Sequence, residues 1–106
     1  MAKSPTENTL SKWRKAGYLC QVVEKWNPHA RIRQDLYGFI DVLAVGESET
    51  VGIQTTSISH LSTRIKKIED ECFESVAVLR KAGWRIVVEG WHKPKHRWVC
   101  KEVDVS

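Results

Sequence analysis

The sequence predicts a single α/β (α+β) domain, a mixed central sheet flanked by helices in the order αβββαββ. Two observations predict it. Apolar runs at 39–45 and 50–56, joined by a short polar turn, have the length and composition of neighbouring strands. Leu61, Ile65, Ile68, Cys72, Val76 and Leu79 then recur at spacings of three and four, so a helix separates those strands from the next apolar run, 84–91. A connection of that length lets the chain return parallel to the strand it left, which makes the sheet mixed.

In chain order, Ser4-Pro5-Thr6-Glu7 starts a helix with a serine cap, a proline at the first helical position and a glutamate completing a capping box. The helix is expected to reach about Ala16, with Leu10 and Trp13 on its apolar side and Gly17 as its C-terminal cap. Tyr18 to Trp26 alternates as a strand, with Glu24 on its apolar face, and Asn27-Pro28 marks a turn. Phe39 to Val45 is apolar on both faces apart from Asp41, so it reads as a central strand. Gly46 to Glu49 is a hairpin turn, and Thr50 to Thr56 returns antiparallel, with Gln54 and Thr56 on one face and Val51, Ile53 and Thr55 on the other. A long helix is expected from Ser57–Ser59 to Gly83. Trp84 to Trp91 follows as a strand, then a basic link, His92 to His96, and a last strand, Arg97 to Val103. Trp13, Trp26 and Trp84 read as core or core edge.

With 106 residues there is material for one core and not two. Seventeen Lys and Arg against 13 Asp and Glu give a net charge of +4, which favours a polyanionic partner without demanding one. Cys20, Cys72 and Cys100 are odd in number and far apart, the pattern of reduced, buried thiols in a cytoplasm. The N-terminal stretch lacks the apolar core of a signal peptide, and no run approaches the ~20 apolar residues of a membrane span. A cytoplasmic protein of a bacterium, an archaeon or a virus-infected host, without membrane contact, is expected.

Asp41 is the residue that needs explaining. An ionised carboxylate in a strand buried on both faces costs several kcal/mol unless a cation or hydrogen-bond donors replace its water. Nothing adjacent in sequence supplies either.

Gly38-Phe39-Ile40-Asp41-Val42-Leu43-Ala44 and Gly52-Ile53-Gln54-Thr55-Thr56, on this order of elements, resemble the PD-(D/E)XK nuclease superfamily of restriction-endonuclease-like folds. The flavour is similar to small Holliday-junction resolvases and to phage or VRR-type nucleases. The resemblance implies Mg²⁺ or Mn²⁺ beside a scissile phosphate, with Asp41 as principal ligand, the Gln54 side-chain oxygen as a neutral second and the Thr55 carbonyl as a third. Hard cations of this kind take oxygen ligands and lower the pKa of water. The sequence departs from the pattern at position 56, where threonine stands in place of the lysine that polarises the attacking water.

Replacements for that lysine are Lys66 or Lys67 on the long helix, against the ordinary reading of solvated charges. His60 is another, against a surface or capping role; the very-short-patch repair branch of the superfamily is similar in using threonine and histidine here. Asp35 is a candidate further oxygen ligand or a turn residue paired with arginine, and Glu24 faces the metal site or ends a strand. Glu7 matches an acid of the family's first helix, but the capping box already accounts for it. Arg31, Arg33, Arg64, Lys67, Lys93, Lys95 and Arg97 are candidate phosphate contacts, with Ser57 and Ser59 at a helix N-terminus. Trp91 and Trp98 flank the basic link and either stack on bases or bury against a second subunit, the latter favouring a homodimer.

The expected function is therefore hydrolysis of DNA phosphodiester bonds, with branched or other non-duplex structures as candidate substrates. The rivals are a non-catalytic nucleic-acid-binding module on the same fold and a dimerising scaffold that binds no nucleic acid.

Overall fold

A computed structural model describes residues 4–106; the first three, part of the stretch read above for a signal peptide, lie outside the described residues. Helix α1 (Pro5–Lys15) begins as the sequence expects, the Ser4 hydroxyl accepting from the Glu7 N–H at 3.2 Å. It closes with paired bonds from Gly17 N–H to Arg14 O and Tyr18 N–H to Trp13 O, a geometry that needs the positive φ of +94° that glycine takes without strain.

Strand β1 (Leu19–Val22) is shorter than expected. The chain leaves the main sheet at Val23–Glu24, and β2 (Lys25–Asn27) pairs antiparallel with β3 (Ile32–Gln34) as a separate two-stranded hairpin. Trp26, expected at the core edge, therefore stands 56% exposed on that hairpin. Strand β4 (Val42–Val45) and β5 (Thr50–Ser57) form the expected antiparallel pair, although β4 starts three residues later than the apolar run, after the isolated bridge Leu36↔Ile40.

The long helix is broken into three parts. A 3₁₀ turn (Ile58–His60) leads into α2 (Leu61–Glu71), and α3 (Phe73–Lys81) restarts after Cys72, whose φ of −120° lies outside the helical region. The basic link is not a loop. Strand β6 (Arg85–Lys95) runs straight through it, turns at His96 with a φ of +47°, and pairs with β7 (Arg97–Asp104). The ladder shifts register between His92 and Lys95, the interval that holds Pro94, which has no N–H to give.

The five-stranded sheet has the order β1-β4-β5-β6-β7, parallel only between β5 and β6 and antiparallel elsewhere. The mixed α+β sheet and its crossover thus follow the sequence, with one hairpin inserted and one helix divided. Trp13 packs on Val42, Ala44, Val51, Ile53 and Val87 on one face. Phe39, Ile40, Leu61, Ile68, Leu79 and Val88 fill the other, beneath α2 and α3. Among the described residues no helix is long and apolar enough to cross a membrane, and the three cysteines are free and partly buried.

Gly90 sets the close approach of β6 to the start of α2. A Cβ there would lie 3.2 Å from Leu61 Cβ and 3.3 Å from the Ile58 Cα, so backbone as well as side chain would have to move. Gly90→Ala is expected to cost about 1–3 kcal/mol by overpacking, read from urea unfolding; a loss under about 0.5 kcal/mol would show that the turn yields freely.

Candidate functional site

Register brings together three acids that the sequence separates. Val22 pairs with Val42 and the Val23 N–H donates to Asp41 O at 2.8 Å, so Glu24 leaves the sheet beside Asp41. The Leu36↔Ile40 bridge folds the intervening residues into a tight turn, which sets Asp35 opposite Asp41. A carboxylate oxygen from each of Glu24, Asp35 and Asp41 lies within 4.8 Å of the others.

Asp41 is 6% exposed, and its Oδ2 accepts from the Thr55 N–H at 3.0 Å. No lysine or arginine among the described residues pairs with it. Burial drives its carboxyl upward; the Thr55 hydrogen bond opposes this, and the neighbouring Asp35 and Glu24 add to the rise, leaving it at about 8. Glu24 is held by Arg33 at 2.9 Å.

These acids open into a cleft of about 480 Å³. Thr55, Thr56 and Ser57 at the end of β5 form one wall, Pro5 and Thr6 of α1 another, and Arg33, Arg64 and Lys67 bring positive charge. The donor set fits a hard divalent cation: three carboxylates whose oxygens are close enough to share one ion at the 2.0–2.6 Å ligand distances of Mg²⁺, Mn²⁺ or Ca²⁺, with two of them, Asp35 and Asp41, in no ion pair among the described residues. Glu24, Asp35 and Asp41 would hold it.

The other residues singled out from the sequence are distributed as follows. Thr55 and Thr56 line the cleft as Lys67 does, whereas Lys66 does not. Gln54 is 3% exposed with its Oε1 unpartnered among the described residues, and it does not line the cleft. It shares a face of β5 with Thr56, about 7 Å further into the sheet by strand rise. His60 Nδ1 is 2.8 Å from the Ser57 hydroxyl, which also meets Ser59 Oγ at 3.1 Å; neither His60 nor Ser59 lines the cleft. Arg31 stands exposed in the turn between β2 and β3 with a φ of +54°. Lys93 and Arg97 line a different hollow, and Lys95 sits at the tip of the β6–β7 hairpin. Trp91 is buried within the chain, which removes half of the reason for seating a second subunit on the last two strands.

One acid went unread in the sequence. Glu89 is fully buried; its Oε1 accepts from the Thr9 hydroxyl at 2.9 Å, and its Oε2 from Trp13 Nε1 at 3.0 Å and Lys12 Nζ at 2.5 Å. Trp91 Nε1 in turn donates to the Thr9 hydroxyl at 3.0 Å. Burial raises the Glu89 carboxyl and Lys12 opposes that rise; the carboxylates of Glu89 and Glu102 outweigh burial at Lys12 and hold it charged. This cluster fastens α1 to β6. The signal for it was the one that marked Asp41, an acid in the middle of the apolar run W-R-I-V-V-E-G-W.

Comparison with protein-family models, curated proteins and solved structures gave no significant match.

Proposed function

We propose that the cleft binds Mg²⁺ or Mn²⁺ through Glu24, Asp35 and Asp41 and that the protein hydrolyses DNA phosphodiester bonds there, as a nuclease of PD-(D/E)XK type. The observation that carries this reading is the meeting of three carboxylates with Arg64 and Lys67 in one cleft. A divalent cation bound to the acids would withdraw charge from a phosphate and acidify water. Lys67 and Arg64 line the cleft and form no ion pair among the described residues, and their charge would attract and orient the phosphate. The Thr56 hydroxyl can position a water but brings no charge, so Lys67 stands in for the lysine missing from position 56. Asp41, anchored by the Thr55 N–H, fixes the acid cluster against the sheet.

Incubation with supercoiled, single-stranded and four-way-junction DNA in Mg²⁺ or Mn²⁺ tests the proposal. Cleavage of at least one substrate is expected, with Lys67→Gln slowing it about 10²-fold or more while Mn²⁺ binding by calorimetry stays intact. No cleavage of any substrate, or cleavage indifferent to Lys67→Gln and Asp41→Asn alike, refutes it. The Arg33–Glu24 pair favours a second reading, a non-catalytic module in which an internal cation already offsets part of the acid charge. Salt-sensitive DNA binding without any Mn²⁺ binding would select that module.

A further inference from the structure

Further along α1 from the acidic cleft, α1 and the β6–β7 hairpin line a second hollow of about 470 Å³, and its lining is basic and aromatic. Lys15, Lys93 and Arg97 line it and form no ion pair among the described residues, unlike Lys12, which is committed to Glu89 and Glu102. Trp91 makes a rigid wall, 8% exposed and tied through its Nε1 to Thr9. Trp98 is half-buried, with the Lys93 ammonium 5.6 Å from its ring centre. Asn8, on the α1 side, is 6% exposed and its Nδ2 has no acceptor among the described residues.

We infer that this hollow is a nucleotide subsite for single-stranded DNA, the indole of Trp98 stacking an unpaired base while Lys93, Arg97 and Lys15 take the flanking phosphates. A cation over a half-exposed indole is held more weakly than a stacked base, so Lys93 leaves the ring for a phosphate when the base arrives. Duplex DNA hides its base faces and cannot make the stack.

The subsite extends the proposed function, resting on nucleic acid as its ligand. Helix rise puts Thr6, at the acidic cleft, about 8–14 Å along α1 from Ser11 and Lys15, at the hollow. That span is at most about four nucleotides, the number at the ~3.4 Å per-strand rise of a duplex, and fewer in an extended, unstacked strand. A strand stacked on Trp98 therefore reaches the acids within a few nucleotides.

The test is fluorescence anisotropy of a 5′-labelled decathymidylate titrated with the protein in EDTA, so that metal binding and cleavage play no part. Binding is expected, weakened about 5- to 150-fold by Trp98→Ala and largely kept by Trp98→Phe. Lys93→Gln/Arg97→Gln should flatten the slope of log K against log salt by about 1.4, two phosphates at ~0.7 each. A purely structural role for these side chains would leave that slope alone. Circular dichroism of each variant keeps loss of fold apart from loss of the subsite. Absent binding, binding indifferent to Trp98→Ala in a folded protein, equal competition by a duplex, or a concentration-dependent dimer that Trp98→Ala dissolves without any change in oligonucleotide affinity would each overturn the inference. Because metal is excluded, failure here leaves the cleavage proposal standing, and failure of cleavage leaves this one measurable.

Discussion

Under the proposed function Asp41→Asn is expected to abolish Mn²⁺ binding and cleavage, and under any function to make the metal-free protein more stable at pH 8 and above. Burial among Asp35 and Glu24 pushes the native carboxyl up to about 8, against about 3.8 for an exposed aspartate. The folded state therefore holds a proton that the unfolded state has lost throughout the window between those values, and stability falls as pH rises across it. Below about pH 4 both states are protonated and the cost is absent; above about pH 8 it is fully present. At ~1.36 kcal/mol for each pKa unit the cost reaches an upper limit of order 5 kcal/mol. Asparagine matches the protonated acid in shape, still accepts from the Thr55 N–H, and offers its amide to the neighbouring carboxylates. Thermal midpoints of the two proteins in EDTA should coincide near pH 4 and diverge by 10 °C or more at pH 8.5. Parallel curves across that range would mean that Asp41 ionises without penalty, and Mn²⁺ binding retained by the variant would remove Asp41 from the ligand set.

Lys12→Met is the second large effect, and it falls on stability. Glu89 is fully enclosed, and Lys12 is the only cation among the described residues that pairs with it. Removing one partner of a buried pair strands the other, at a typical cost of 3–5 kcal/mol. Thr9 and Trp13 still donate to the carboxylate, so the lower end of that range is expected at neutral pH. Without Lys12 the Glu89 carboxyl rises further above its unfolded value, so the loss should shrink towards pH 5 and grow towards pH 8. Adding Glu89→Gln should recover much of it, because an amide needs no counter-charge. Urea unfolding of the single and double variants measures the coupling. A single-variant loss below about 1 kcal/mol would show that the hydrogen bonds alone carry Glu89.

The sequence was most legible where structure is local. The Ser4 and Gly17 caps, the β4–β5 hairpin and the crossover to β6 depend on hydrogen bonds between near neighbours or on connection length, and both can be read from residue types. The break at Cys72 was invisible because Ile68, Cys72 and Val76 keep helical spacing through it and no glycine or proline marks it. The departure of the chain at Val23–Glu24 was equally hidden, since alternation continues from Tyr18 to Trp26 whichever sheet the residues join. The β6–β7 ladder joins backbone groups and ignores the charges of His92 to His96. At the site, Asp41 could be found from its own surroundings. The convergence of Asp35 and Glu24 upon it, and the retreat of Gln54 from the cleft, follow from register, which one-dimensional patterns do not carry.

Helix α1 walls both concavities, with Pro5 and Thr6 at the acids and Asn8 and Lys15 at the aromatic hollow, and Lys12, Thr9 and Trp13 between them clamp it to Glu89. Eleven residues thus act as one shared partition. Any displacement of that partition alters both compartments together, so the clamp on one enclosed carboxylate bears on the shape of each.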